Sequence, residues 1–148
     1  MSAPDMSANE PSSRPEITAL LARGVTRLLL DHDVAPVLEM PLANGRRADL
    51  CGLSPKGEIW IVETKSCLAD FAVDSKWPDY LDYCDLFFFA VAEDFPRHLI
   101  PDSAGLIVAD GFGGAILRRP APAPLAPARR KMMTLALARL AALRLAQG

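Results

Sequence analysis

The chain has 148 residues, 51% of them apolar, which is room for one domain with a sizeable core and too little for two. No apolar run approaches the roughly 20 residues of a membrane span, no apolar signal-peptide core opens the chain, and Cys51, Cys67 and Cys84 lack metal-ligand spacing, so a cytoplasmic protein with reduced, buried thiols is expected. The net charge of −2 hides a split: residues 1–110 hold all 18 acidic groups, while residues 111–148 hold seven basic groups and no acid, so the second stretch either neutralises the first or meets a polyanion.

Residues 1–12, rich in Pro, Ser and Asn, read as a disordered tail. Ser13-Arg14-Pro15-Glu16 is a helix start, with Ser13 as cap and Glu16 at the capping-box position. The helix runs to about Asp31, with Ile17, Leu20, Leu21, Val25, Leu28 and Leu29 as its core-facing stripe. A strand around Val34–Leu42 contains Pro36 and Pro41 and so belongs at a sheet edge, with Glu39 facing solvent. Asn44-Gly45 turns the chain into a strand at Arg47–Leu53, and Ser54–Gly57 turns it again into Glu58–Lys65.

That last strand is apolar on both faces, which predicts a central position covered on both sides. Ser66–Val73 is ambiguous, and Lys76-Trp77-Pro78-Asp79 begins a further helix. The run Leu86–Ala92 reads as a buried strand parallel to Glu58–Lys65, with the intervening helix as crossover. Two short strands follow, Ala104–Ala109 and Ala115–Arg118, joined by a Gly-rich turn. Residues 120–127 form a proline-rich linker and residues 128–148 a helix that packs on the domain or on a dimer partner. The order predicts an α/β fold, a mixed central sheet flanked by helices.

The chemistry concentrates at one hairpin. Period-two alternation puts Ile59, Ile61, Glu63 and Lys65 on one face of their strand, and Asp49 can point into the same space from the strand before. Two carboxylates facing one another repel unless a cation joins them, and an oxygen-only shell suits Mg²⁺ or Mn²⁺. The Thr64 carbonyl is a further candidate ligand, Lys65 reaches the same volume, and Glu16 can add a polar group from the first helix. A group of this kind serves phosphodiester hydrolysis, with the lysine orienting the attacking water or steadying charge on the phosphate. The same residues have plainer readings: Glu63 and Lys65 as a strand-end ion pair, Glu16 as a capping residue, Lys76 as structural, and Trp77, Tyr80 and Tyr83 as core rather than a base-stacking platform. His32 and His98 make neither a zinc site nor a triad.

The arrangement of Glu16, Asp49 and Glu63-Thr64-Lys65 resembles the PD-(D/E)XK nuclease superfamily, which includes restriction endonucleases. Arg46-Arg47-Ala48-Asp49, Glu63-Thr64-Lys65-Ser66 and the stretch Lys76–Asp85 resemble more closely one bacterial branch, the MmcB-like DNA-repair proteins, over about residues 14–119. The resemblance implies a restriction-endonuclease-like core over residues 13–119 and metal-dependent action on DNA during repair. It carries the superfamily's acids to Asp49 and Glu63, its lysine to Lys65 and its first-helix acid to Glu16; Ala48 stands where the family name has proline. The competing expectation is a non-catalytic factor on the same fold that binds DNA or a repair partner, with a homodimer as one way to enlarge its surface. The basic C-terminal helix serves either packing or phosphate contact.

Overall fold

The computed structural model describes residues 13–72 and 75–148; residues 1–12, the expected tail, and residues 73 and 74 lie outside the described residues. Helix α1 (Arg14–Asp31) starts where the capping residues place it, the Glu16 amide donating to Ser13 Oγ at 3.3 Å. Six strands follow: β1 (Ala35–Pro41), β2 (Arg47–Leu53), β3 (Ile59–Lys65), β4 (Leu86–Val91), β5 (Gly105–Ala109) and β6 (Gly114–Arg118). They form one mixed sheet in sequence order, antiparallel at β1–β2–β3, parallel at β3–β4–β5 and antiparallel at β5–β6. This is the α/β architecture the sequence predicts, with β3 and β4 central and β1 at an edge.

The alternation of β3 sorts the core into two layers. Trp60 and Val62 join Leu50, Phe88, Ala90 and Ile107 beneath the α1 stripe of Leu21, Val25, Leu28 and Leu29. Ile59 and Ile61 join Cys51, Phe87, Phe89 and Val108 on the other face, under Tyr80, Tyr83, Met133 and Leu137. Phe88 and Phe89 are fully buried on opposite faces; each contributes about 2–3 kcal/mol of apolar burial.

The crossover between β3 and β4 is less regular than one helix. It comprises a short α2 (Leu68–Ala72) and a 3₁₀ helix at Trp77–Tyr83. The Asp79 amide bonds to the Lys76 carbonyl, the i→i+3 closure of 3₁₀ geometry at the turn that holds Pro78. Trp77 stacks on Phe87 with ring centroids 5.5 Å apart, and Tyr80 and Tyr83 are buried, so these aromatics are core. Cys51 and Cys84 are buried as expected, burial pushing the Cys51 thiol up to about 12, whereas Cys67 is only half-buried.

Helix α3 (Pro127–Gln147) lies on the face opposite α1, burying Met133 and Leu137. Its arginines serve the fold. Arg130 grips Asp85, Arg144 donates to the Leu38 and Glu39 carbonyls, and Arg129 lies 4.5 Å over the Tyr83 ring. Ahead of it, Arg118 bonds the Ala104 and Pro101 carbonyls, and Arg119 lies 5.2 Å over Trp60. Much of the basic C-terminal charge is therefore spent on carbonyls, rings and one buried acid, which favours packing over phosphate contact for this helix.

Candidate active site

The hydrogen-bonded ladder between β2 and β3 runs from Leu53↔Ile59 to Leu50↔Val62 and stops. One step further the register would set Asp49 opposite Glu63. On the other side of β2, pairing with β1 passes from Leu38↔Leu50 to Met40↔Ala48 and skips Glu39, whose φ is 50°. Asp49 thus sits where the pairing of β2 lapses on both flanks.

Side chains take over where the ladder ends. The Asp49 amide donates to Glu63 Oε1 at 2.9 Å. Reciprocally, the Thr64 amide and Thr64 Oγ1 donate to Asp49 Oδ2 at 2.9 and 3.0 Å. Each carboxylate therefore satisfies a backbone donor of the opposite strand, which buried amides require. One oxygen of each does this work; among the described residues no amide is seen on Asp49 Oδ1 or Glu63 Oε2.

Glu63 is 6% exposed and Thr64 8%, while Asp49 and Lys65 are half-buried. Burial and the neighbouring Asp49 charge push the Glu63 carboxyl up to about 8, against the lowering effects of the Asp49 amide and the Lys65 ammonium. Lys65 lies within electrostatic reach of Glu63, on the strand face that alternation assigns to it. The structure brings together Asp49, Glu63, Thr64 and Lys65.

Glu16 is exposed in the first turn of α1, a helix that packs on the opposite face of the sheet from Ile59 and Ile61. Its end of α1 does point toward the C-terminal ends of the parallel strands, since Ile17, Ala92 and Ala109 line one groove. Among the described residues no group of three or more His, Cys, Asp or Glu is arranged to hold a metal ion.

Three contacts unseen in the sequence brace the site. Arg46 pairs with Asp79 at 3.2 Å and Asn44 donates to the Asp79 carbonyl, tying the β1–β2 turn to the 3₁₀ helix. Tyr80 Oη donates to the Arg47 carbonyl at 3.3 Å, two residues before Asp49. The juxtaposition of these residues in the sequence motif is therefore a packing unit, with Asp79 and Tyr80 steadying the strand that carries Asp49.

The model of a family described as "DNA repair protein MmcB-like" matches residues 6–148, so the match extends through the proline segment and α3, beyond the residues that carry the motifs. A solved structure, the SPO1766 protein of unknown function from Silicibacter pomeroyi, is similar at 48% identity over 84% of this chain and 86% of that one, with a TM-score of 0.82. No curated protein matches. Among the described residues no helix is long and apolar enough to cross a membrane.

Proposed function

The chain belongs to the MmcB-like family of DNA repair proteins, and from that premise we propose that it hydrolyses phosphodiester bonds of DNA with the help of a divalent cation. The observation that carries the proposal is the pair of carboxylates Asp49 and Glu63, bridged through backbone amides, with Lys65 beside them.

The donor set fits Mg²⁺ or Mn²⁺. These cations take hard oxygen ligands, and Mg²⁺ characteristically binds through one or two carboxylates while water and substrate phosphate complete its shell. Asp49 Oδ1 and Glu63 Oε2 would hold the cation, with the Thr64 carbonyl as a third donor. When bound, it supplies Lewis-acid polarisation of a phosphoryl oxygen and a more acidic water. The remaining work falls to the chain. Thr64 holds Asp49 by its amide and hydroxyl, the Asp49 amide holds Glu63, and Lys65 orients the attacking water or steadies charge on the phosphate. Glu16 would add a polar group from the first turn of α1.

The test is a cleavage assay with Mn²⁺ on linear, nicked, branched and single-stranded DNA. Wild type should cut at least one of these forms. Asp49→Asn and Glu63→Gln should abolish cutting, and Lys65→Ala should lower it by about 10²-fold or more, the scale of losing a positioned transition-state donor.

The second reading is a DNA- or partner-binding repair factor that does not cut. It is favoured by the two-carboxylate count, with no third metal-ligating side chain grouped with them among the described residues. Salt-dependent DNA binding that is unchanged in Asp49→Asn, with no cleavage of any form, would support it.

A further inference from the structure

Most arginines of this chain are spent on internal partners. Arg46 and Arg130 pair with Asp79 and Asp85, Arg119 and Arg129 lie over the rings of Trp60 and Tyr83, and Arg144 holds the Leu38 and Glu39 carbonyls. Arg47 is different. Its side chain is exposed, and its guanidinium makes no ion pair, hydrogen bond or ring contact among the described residues. Arg23, Arg27 and Arg139 share that state on helices; of these four, only Arg47 stands on β2, two residues from Asp49.

The start of β2 holds this residue at its root and leaves its head free. Arg47 pairs with Pro41 in the ladder with β1, and its carbonyl accepts from Tyr80 Oη. Fully buried Ala48 lies between it and half-buried Asp49. Strand alternation therefore turns Arg47 and Asp49 to the same face, with Cα atoms about 6–7 Å apart. Lys65 on β3 brings one positive charge to Glu63; Arg47 on β2 brings a second beside Asp49.

We propose that Arg47 is a DNA-positioning residue, holding a phosphate of the bound strand next to the one that meets the carboxylates. A guanidinium presents a planar fork of N–H donors that matches two phosphate oxygens, and it stays charged at every working pH. A phosphodiester approaching Asp49 and Glu63 meets acids of its own sign, and a cation on the face of Asp49 offsets them. Arg46, beside it in sequence, would have to give up Asp79 to do this work. Arg47 has no ion pair to give up among the described residues. The inference rests on the proposal that this site acts on DNA, and not on whether the site cuts it.

Fluorescence anisotropy of labelled duplex and single-stranded DNA, titrated with the full chain without divalent metal at several salt concentrations, reads binding apart from cutting. Arg47→Ala should weaken binding about tenfold or more. It should also flatten the slope of log affinity against log salt by about 0.9 on duplex or about 0.7 on single strands, the loss of one phosphate contact. Arg47→Lys should keep the slope and recover part of the affinity, since the charge stays and the fork is lost. Lys56→Ala, in the turn at the other end of β2, should change neither, and all three variants should melt like wild type. If Arg47→Ala melts lower, Arg47→Gln, which keeps the stem and loses the charge, decides the matter by the same slope. Equal binding by wild type and Arg47→Ala, an equal loss in Lys56→Ala, or a wild type that binds neither DNA overturns the proposal. Cleavage judges the nuclease reading separately. A wild type that binds with this signature and cuts nothing sinks that reading alone, and one that cuts while Arg47→Ala binds unchanged sinks this one alone.

Discussion

Asp85 and Glu63 are buried to nearly the same degree, 5% and 6% exposed, at opposite ends of two adjacent strands. Asp85 precedes β4 at its entry; Glu63 sits near the exit of β3. Asp85 accepts from the Ile59 and Leu125 amides and from both terminal nitrogens of Arg130, at 2.7 and 2.5 Å for the guanidinium. Burial opposes its ionisation, but the Arg130 fork and the two amides outweigh it and hold the carboxyl below its ordinary range. Glu63 has one amide, a lysine that only partly compensates and a second carboxylate as neighbour, and its pKa is raised instead. One end of the sheet carries an acid whose cation is part of the chain. The other carries acids arranged as if the cation comes from outside. Burial alone does not separate a structural acid from a functional one; the neighbouring charge does.

The largest expected effect is at the satisfied acid. Asp85→Ala leaves Arg130 without its counter-ion and strips the Ile59 and Leu125 amides of their acceptor, and should cost about 3 kcal/mol in urea denaturation, as when one partner of a buried pair is removed. Any Mn²⁺ binding at the distant Asp49–Glu63 pair should be unchanged in the folded fraction.

At the other acid the sign reverses. The Glu63 pKa rises from 4.5 in the unfolded chain to about 8 in the fold, so the folded state holds a proton that the unfolded state releases. Stability should therefore fall as pH rises from 4.5 to about 8 and change no further from this cause above it. Glu63→Gln keeps the acceptor for the Asp49 amide and removes the charge. It should be more stable than wild type at pH 8 by on the order of 1 kcal/mol or more, with the difference vanishing toward acid. Asp85 works the other way: its contribution is present above the ordinary carboxylate pKa of 3.8 and is lost only as pH falls through its lowered value. Denaturation curves taken across this range in wild type and Glu63→Gln separate the two contributions.

The smallest effect concerns how Asp49 is held. Thr64→Val removes one hydrogen bond to Asp49 Oδ2 and should cost about 1 kcal/mol of stability, with Thr64→Ser restoring it.

The sequence made the position of this site readable because a strand has period two. Once β3 is recognised as central, Glu63 and Lys65 must share the face of Ile59 and Ile61, and the adjacent hairpin brings Asp49 opposite. The helix cap at Ser13, the prolines of β1 and the apolar run of β4 were equally legible, each being a local signal. What was not legible depends on separations of many residues. Asp85 and Arg130 are 45 apart in sequence, and Arg144 meets Leu38 across 106. Nothing local marks Arg130 as the counter-ion of a buried acid rather than a phosphate ligand. The positive φ of Glu39 likewise has no residue-type signal, since Asn or Gly would be the ordinary choice there. The 3₁₀ form of Trp77–Tyr83 has no local signal of its own, because a proline in the first turn suits either helix type.

The most direct test of the external-cation account is calorimetric titration of wild type and Glu63→Gln with Mn²⁺ at several pH values. Wild type should bind with an affinity that rises with pH up to about 8, releasing up to one proton per cation below that pH as Glu63 ionises, and Glu63→Gln should bind far more weakly. Equal binding by the two proteins, or no binding by wild type at millimolar Mn²⁺, would contradict it.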